Sequence, residues 1–151
     1  MLNSVVHLLL QCLVASASDN FFRGCVEESV RNRSSDACVF VPARWLDAEV
    51  YRNLAHLALA NGSHFPRAGN RDTILDIIQA ANQVSRGIVT RLEFSVVRSS
   101  CDSSTGYTKE ECKPEGPEQS GLCQAKFRYI HDLKLEDVMC DAEVVENFDA
   151  P

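Results

Sequence analysis

The chain has 151 residues, seven of them cysteine, with a formal net charge of −6 and 24% charged side chains. That is the length of a single domain, and its acidic balance argues against a nucleic-acid binder, which carries a basic face. It argues equally against an anionic membrane surface as the main partner; a basic protein partner remains compatible.

The first segment reads as a leader. Leu2 to Val14 is mostly apolar and ends in Ala15-Ser16-Ala17-Ser18, a small-residue cleavage pattern. It is too short to span a bilayer, which takes about 20 apolar residues. Residues 1–17 are therefore expected to be a signal peptide, and the mature protein to be secreted and extracellular. Cleavage removes Cys12 and leaves six cysteines, an even number that in a short exported chain implies a disulfide framework. Two sequons, Asn32-Arg33-Ser34 and Asn61-Gly62-Ser63, make Asn32 and Asn61 candidate glycosylation sites.

Residues 18–42 read as an N-terminal extension with a polar loop at its centre. Cys25 and Cys38 flank that loop and are expected to pair with each other; the alternative is that one is free or joins two chains. A helix is predicted from Leu46 to Asn61-Gly62, with Leu46, Val50, Leu54, Leu57 and Ala58 on its apolar face. Asp47 stands near its start, where a carboxylate suits the unpaired amides. His56 and His64 have no companions at metal-ligand spacing and read as surface histidines. His64 to Arg71 reads as a loop. Ile74 to Ala81 fits a helix by spacing and a strand by its β-branched residues, and periodicity does not decide between them.

After Gly87 a strand is predicted. Ile88, Thr90, Leu92, Phe94 and Val96 face one way and Arg91, Glu93, Ser95 and Arg98 the other, with Val89 and Val97 out of pattern. Cys101 to Cys123 reads as a loop, Ala125-Phe127-Tyr129 as a further strand, and Leu133 and Leu135 as the start of a last one. The sum is an α+β domain, one helix packed on an antiparallel sheet. No phosphate loop, HExxH or CxxC motif is present, and no catalytic constellation is visible, so the chain is not expected to be an enzyme or to need a cofactor or metal.

Leu46 to Ala142 resembles a type 2, secreted cystatin. The residues that carry the likeness are Gln83-Val84-Ser85-Arg86-Gly87 after the helix, Ser99-Ser100-Cys101-Asp102, Cys112, Cys123-Gln-Ala-Lys-Phe127 and Cys140-Asp141-Ala142. The loop Ser104-Thr105-Gly106-Tyr107-Thr108 is similar to that of tick cystatins. The resemblance implies a cystatin-like domain over residues 43–142, followed by a tail at 143–151. It implies one long helix on a four- to five-stranded antiparallel sheet, a strand from Ile74 to Asn82, and the pairs Cys101–Cys112 and Cys123–Cys140. It further implies a monomeric inhibitor that blocks papain-like, cathepsin-class cysteine proteases with a three-part wedge, without reacting.

The wedge residues implied here are Gln83, Val84, Ser85, Arg86 and Gly87 in the first hairpin, with Arg44 and Trp45 in the N-terminal part. Ser85 replaces the family's Val, Ala43-Arg44 stand where it has Gly, and the second hairpin lacks its Pro-Trp. These departures define the alternative, a cystatin-fold binding protein that has lost papain-family inhibition. A third reading is legumain inhibition through Asn70.

Overall fold

The computed structural model describes residues 20–30, 35–61 and 69–142. The expected leader, the sequon at Asn32, His64 and the tail at 143–151 lie outside the described residues. One helix, α1 (Glu49–Asn61), packs on a sheet of five strands. These are β1 (Val39–Phe40), β2 (Asn70–Val84), β3 (Ile88–Asp102), β4 (Pro114–Tyr129) and β5 (Leu133–Ala142), neighbours in chain order and antiparallel throughout. This is the expected α+β arrangement.

The helix starts at Glu49, three residues later than the apolar spacing predicts. Ala43–Trp45 forms a 3-10 turn, and the bonds Leu46 N–Ala43 O and Ala48 N–Trp45 O carry the tighter winding forward. Asp47 therefore precedes the helix, and Glu49 is the acidic residue of its first turn. The buried face is Leu54, Ala55, Ala58 and Leu59; Val50, expected on it, is exposed. That face meets Ile74, Ile77, Ala80, Leu92, Phe94 and Phe127 from the sheet.

The segment that periodicity left open is strand, and bulges explain its helical spacing. Ile74, Ile77 and Ala80 all join the core under α1, although in a regular strand residues three apart face opposite ways. Register shifts between Ile74 and Ile77, and again between Ile77 and Gln79, reset the alternation.

The extension is not merely an appendage. Phe22, Cys38 and Ala81 form a second buried cluster on the sheet face away from the helix, with the Phe22 and Phe40 rings 5.7 Å apart. The Phe21 amide donates to Gln124 Oε1 at 3.0 Å, and Gln124 Nε2 donates to Glu93 Oε2 at 2.6 Å. The polar residues predicted for the outer face of β3 thus serve partly as anchors for this segment. Val89 and Val97, out of pattern in sequence, are buried on that same side.

Three disulfides are formed: Cys25–Cys38, Cys101–Cys112 and Cys123–Cys140. The last joins directly opposed residues of β4 and β5. The predicted loop from Cys101 to Cys123 is shorter than expected, because β4 already begins at Pro114. Among the described residues its first residues pair only with β3, since β5 joins from Gly121 onward. Pro114 and Pro117 therefore occupy an edge, where a missing amide hydrogen costs no ladder bond.

Candidate functional site

At the end of the sheet where β2 turns into β3, four apolar side chains form a row across four strands. The pairs are Val84 opposite Ile88, Ile88 opposite Tyr129, and Tyr129 opposite Leu133. The next row inward, Asn82, Thr90, Phe127 and Leu135, continues under the helix. The outer row is uncovered: the exposures are 63% for Val84, 48% for Ile88, 49% for Tyr129 and 42% for Leu133. Ile130, in the turn between β4 and β5, is also exposed and lengthens the band. A contiguous apolar edge of this kind on a stapled domain is a candidate binding surface.

The two hairpin tips are held together by backbone approach and one arginine. Ser85, Arg86 and Gly87 make the first turn, closed by Ser85 N donating to the Gly87 carbonyl at 2.9 Å. Arg86 and Gly87 have φ of +48° and +93°, in the left-handed region. Arg128 on β4 donates to the carbonyls of Ser85 at 2.5 Å and Arg86 at 3.2 Å. Its Nε is paired with Glu136 on β5, and Lys126 Nζ stands 3.6 Å from the same carboxylate. The hydrogen bond from Arg128, more than any other influence, holds the Glu136 carboxyl below its ordinary value.

The residues implied for the wedge are only partly brought together. Val84 through Gly87 sit at the first tip. Gln83 turns away from it and donates through Nε2 to the Asp36 carbonyl of the extension at 2.8 Å. Arg44 and Trp45 lie in the turn before α1, both exposed, with the guanidinium carbon 5.8 Å from the indole centroid. A cleft of about 450 Å³ separates the first hairpin from α1, lined by Val50, Tyr51 and Leu54 on one side and Val84 and Ile88 on the other. Trp45 lines an adjoining cleft that shares Val39, Val50, Tyr51 and Asn82 with it. Trp45 is thus a neighbour of the edge, not part of the row.

Ile88, Tyr129, Ile130, Leu133 and Arg128 were missed as site residues. Ile88 and Tyr129 share the parity of core positions and so read as inward-facing; only the end of the helix leaves them bare. Ile130 carried a usable signal, being an apolar residue in a turn. Asn70, expected on the loop after the helix, is the first residue of β2. Its Nδ2 donates to the Ser99 carbonyl at 2.9 Å and Glu115 Oε1 at 3.1 Å. Asn61, the last helical residue, is exposed and donates to the Leu57 carbonyl at 2.9 Å. His56 is half-buried, unlike the surface histidine expected, with Nδ1 2.5 Å from the Tyr107 hydroxyl.

Among the described residues no three His, Cys, Asp or Glu side chains converge as metal ligands, and no helix is long and apolar enough to cross a membrane. No protein-family model matches the chain. It is similar to mialostatin of Ixodes ricinus, 29% identical over 97 residues, covering 61% of this chain and 68% of that protein. It is also similar to salivary cystatin-L of Ixodes scapularis, 30% identical over 74 residues, covering 48% of this chain and 56% of that protein. The matches thus span from about half to two thirds of these relatives.

In fold, the chain is similar to the crystal structure of mialostatin, a tick gut cystatin. The TM-score is 0.56 at 24% identity, over 64% of this chain and 93% of that one. A salivary cystatin of the soft tick Ornithodoros moubata superposes with a TM-score of 0.55 at 21% identity, over 70% and 97% of the two chains. The chain is thus similar in sequence to tick cystatins, and its single helix on a five-stranded antiparallel sheet is the cystatin fold.

Proposed function

We propose that the chain is a secreted, reversible inhibitor of papain-like cysteine proteases that seats its two-hairpin edge in the protease cleft. The observation that carries this reading is the exposed row Val84, Ile88, Tyr129 and Leu133. Burying such side chains in a complementary cleft supplies affinity. Tips already fixed by Gly87 and Arg128 lose little freedom on binding. Inhibition of this kind is occlusion and needs no chemistry from the inhibitor.

The wedge differs from the family's in its third part. The chain ahead of the helix is tied to the sheet by β1, the Phe22 cluster and Cys25–Cys38. The edge therefore acts through its two hairpins, with Trp45 flanking. Secretion rests on the leader. Asn61, at the far end of the helix from the row, is a site where a glycan would leave the edge clear.

The second reading is a cystatin-fold protein that binds something else. It is favoured by the Gln83 side chain, which is engaged by the extension. One titration separates the two: the mature chain, from Ser18 onward, against papain and a cathepsin L-type protease. Inhibition at nanomolar protein that collapses in Val84→Asp supports the first. Full protease activity at micromolar protein overturns it.

A further inference from the structure

At the other end of the sheet, α1 and the segment between β3 and β4 enclose a small polar recess of about 220 Å³. Arg52 and His56 reach it from one face of the helix, four residues apart. Lys109 and Glu110 line it from the segment closed by Cys101–Cys112, Lys113 from the position just after that disulfide, and Thr73 from β2. Three permanent cations thus stand around one carboxylate, in a chain whose net charge is −6. Among the described residues the ion pairs are those of Glu136 with Lys126 and Arg128, so none of the three cations is paired. Lys109 Nζ is only 3.3 Å from the neutral Asn53 Oδ1.

His56 reports the local field. Its ring is held below its ordinary value first by burial, then by Arg52, Lys109 and Lys113, with Glu110 opposing. A Thr73–Tyr107–His56 hydrogen-bond chain engages Nδ1, with 2.9 Å and 2.5 Å separations. Lys109 inside the disulfide-closed segment and Lys113 next to its closing cysteine therefore face Arg52 and His56 on the helix.

We infer that this recess is a binding site for one tetrahedral oxyanion, a sulfate or phosphate group. Such a group matches the charge, since Arg and Lys donors hold oxyanions through charge-assisted hydrogen bonds. It also matches the volume, which is below that of sites for larger organic ligands. By linkage, an anion beside His56 favours its protonated form, and acidification through the His56 titration strengthens binding by the same coupling.

The test is NMR titration of the mature protein with sodium sulfate, following the ring protons of His56 and of exposed His131, against sodium chloride at equal ionic strength. Sulfate is expected to raise the His56 pKa above its value in the chloride control. Arg52→Gln is expected to weaken sulfate binding roughly tenfold. Lys109→Gln, at an exposed position that leaves folding intact, is expected to weaken it in the same sense. Equal responses to sulfate and chloride, or affinity unchanged in both variants, overturn the site. A sulfated disaccharide binding more tightly than inorganic sulfate identifies the group as part of a glycan; equal affinity of sulfate, phosphate and disaccharide identifies the free ion. Protease inhibition does not enter any of these readouts.

Discussion

A Cβ added to Gly87 would stand 2.1 Å from the backbone oxygen of Tyr129 and 2.9 Å from Ile130 Cγ1. The two hairpins touch at this point, and only a residue without a side chain permits it. The contact is made to backbone, which cannot swing aside as a flexible side chain would. Gly87→Ala is therefore expected to cost roughly 1–3 kcal/mol of stability through overpacking and the left-handed φ. Chemical denaturation measures it, and inhibition should fall with it as the tips separate.

Arg128 joins the tips from the other side, through the carbonyls of Ser85 and Arg86. Its pairing with Glu136 is partly exposed, so Arg128→Met should change stability by less than about 1 kcal/mol. Binding should suffer more, because the first turn loses its pre-organisation; a rise of roughly fivefold in the inhibition constant is expected. A variant that inhibits as well as the parent would show the turn to be held by Gly87 alone.

The apolar row predicts a different split. Val84→Asp and Leu133→Asp replace exposed side chains, so each should alter stability by no more than about 0.5 kcal/mol. Each should weaken protease binding by about 1 kcal/mol or more, through lost apolar burial and a desolvated charge. Paired denaturation and inhibition titrations check both halves.

Two groups give the fold separate acid sensitivities. His56 is held below the ordinary 6.5, so the unfolded chain takes up its proton more readily. Its contribution is complete above about pH 6.5 and declines as pH falls from there through the folded-state value. Glu136 is held below 4.5, so its contribution is present above that pH and lost as pH falls through its lower folded value. His56→Gln should flatten the stability profile in the first window and Glu136→Gln in the second, as read from urea midpoints between pH 7.5 and 3.

Removing the disulfide of the extension, by Cys25→Ser with Cys38→Ser, opens a link between residues 13 apart in sequence. The loss expected for a loop of this size is about 2–3 kcal/mol. Limited proteolysis should then cut within residues 20–30, where the parent is held by the Phe22 cluster.

The scaffold was legible in the sequence to the extent that patterns were regular. Leu54 and Ala58 marked the helix, Leu92, Phe94 and Val96 the central strand, and the cysteine order the likeness to cystatins. Ile74 and Ile77 were ambiguous because bulges in β2 give a strand three-residue spacing. The helix start was misplaced because Leu46 continues the apolar pattern through a 3-10 turn. The site was harder for a physical reason: Ile88 and Tyr129 alternate as core residues do, and whether a row is core depends on where the covering helix stops. Arg128 gave no local signal for its hold on the first tip, since the carbonyls it bonds there lie about 40 residues away on another hairpin. The anchoring of the extension, from Phe21 to Gln124, spans 103 residues and is equally invisible to any local pattern.

The Cys25–Cys38 clasp bears on how the protein is handled. Cys101 and Cys112 are both buried, whereas Cys25 and Cys140 are each partly open to solvent, so an added thiol reaches the clasp and the β4–β5 pair before Cys101–Cys112. Proteases with a cysteine nucleophile are kept active by the same reductants. In such an assay buffer opening of the clasp loosens the extension and frees Gln83 from Asp36, while the buried Cys101–Cys112 pair holds. Activity measured with and without reductant, using a protease that tolerates both, then compares a clasped and an unclasped form of one sequence.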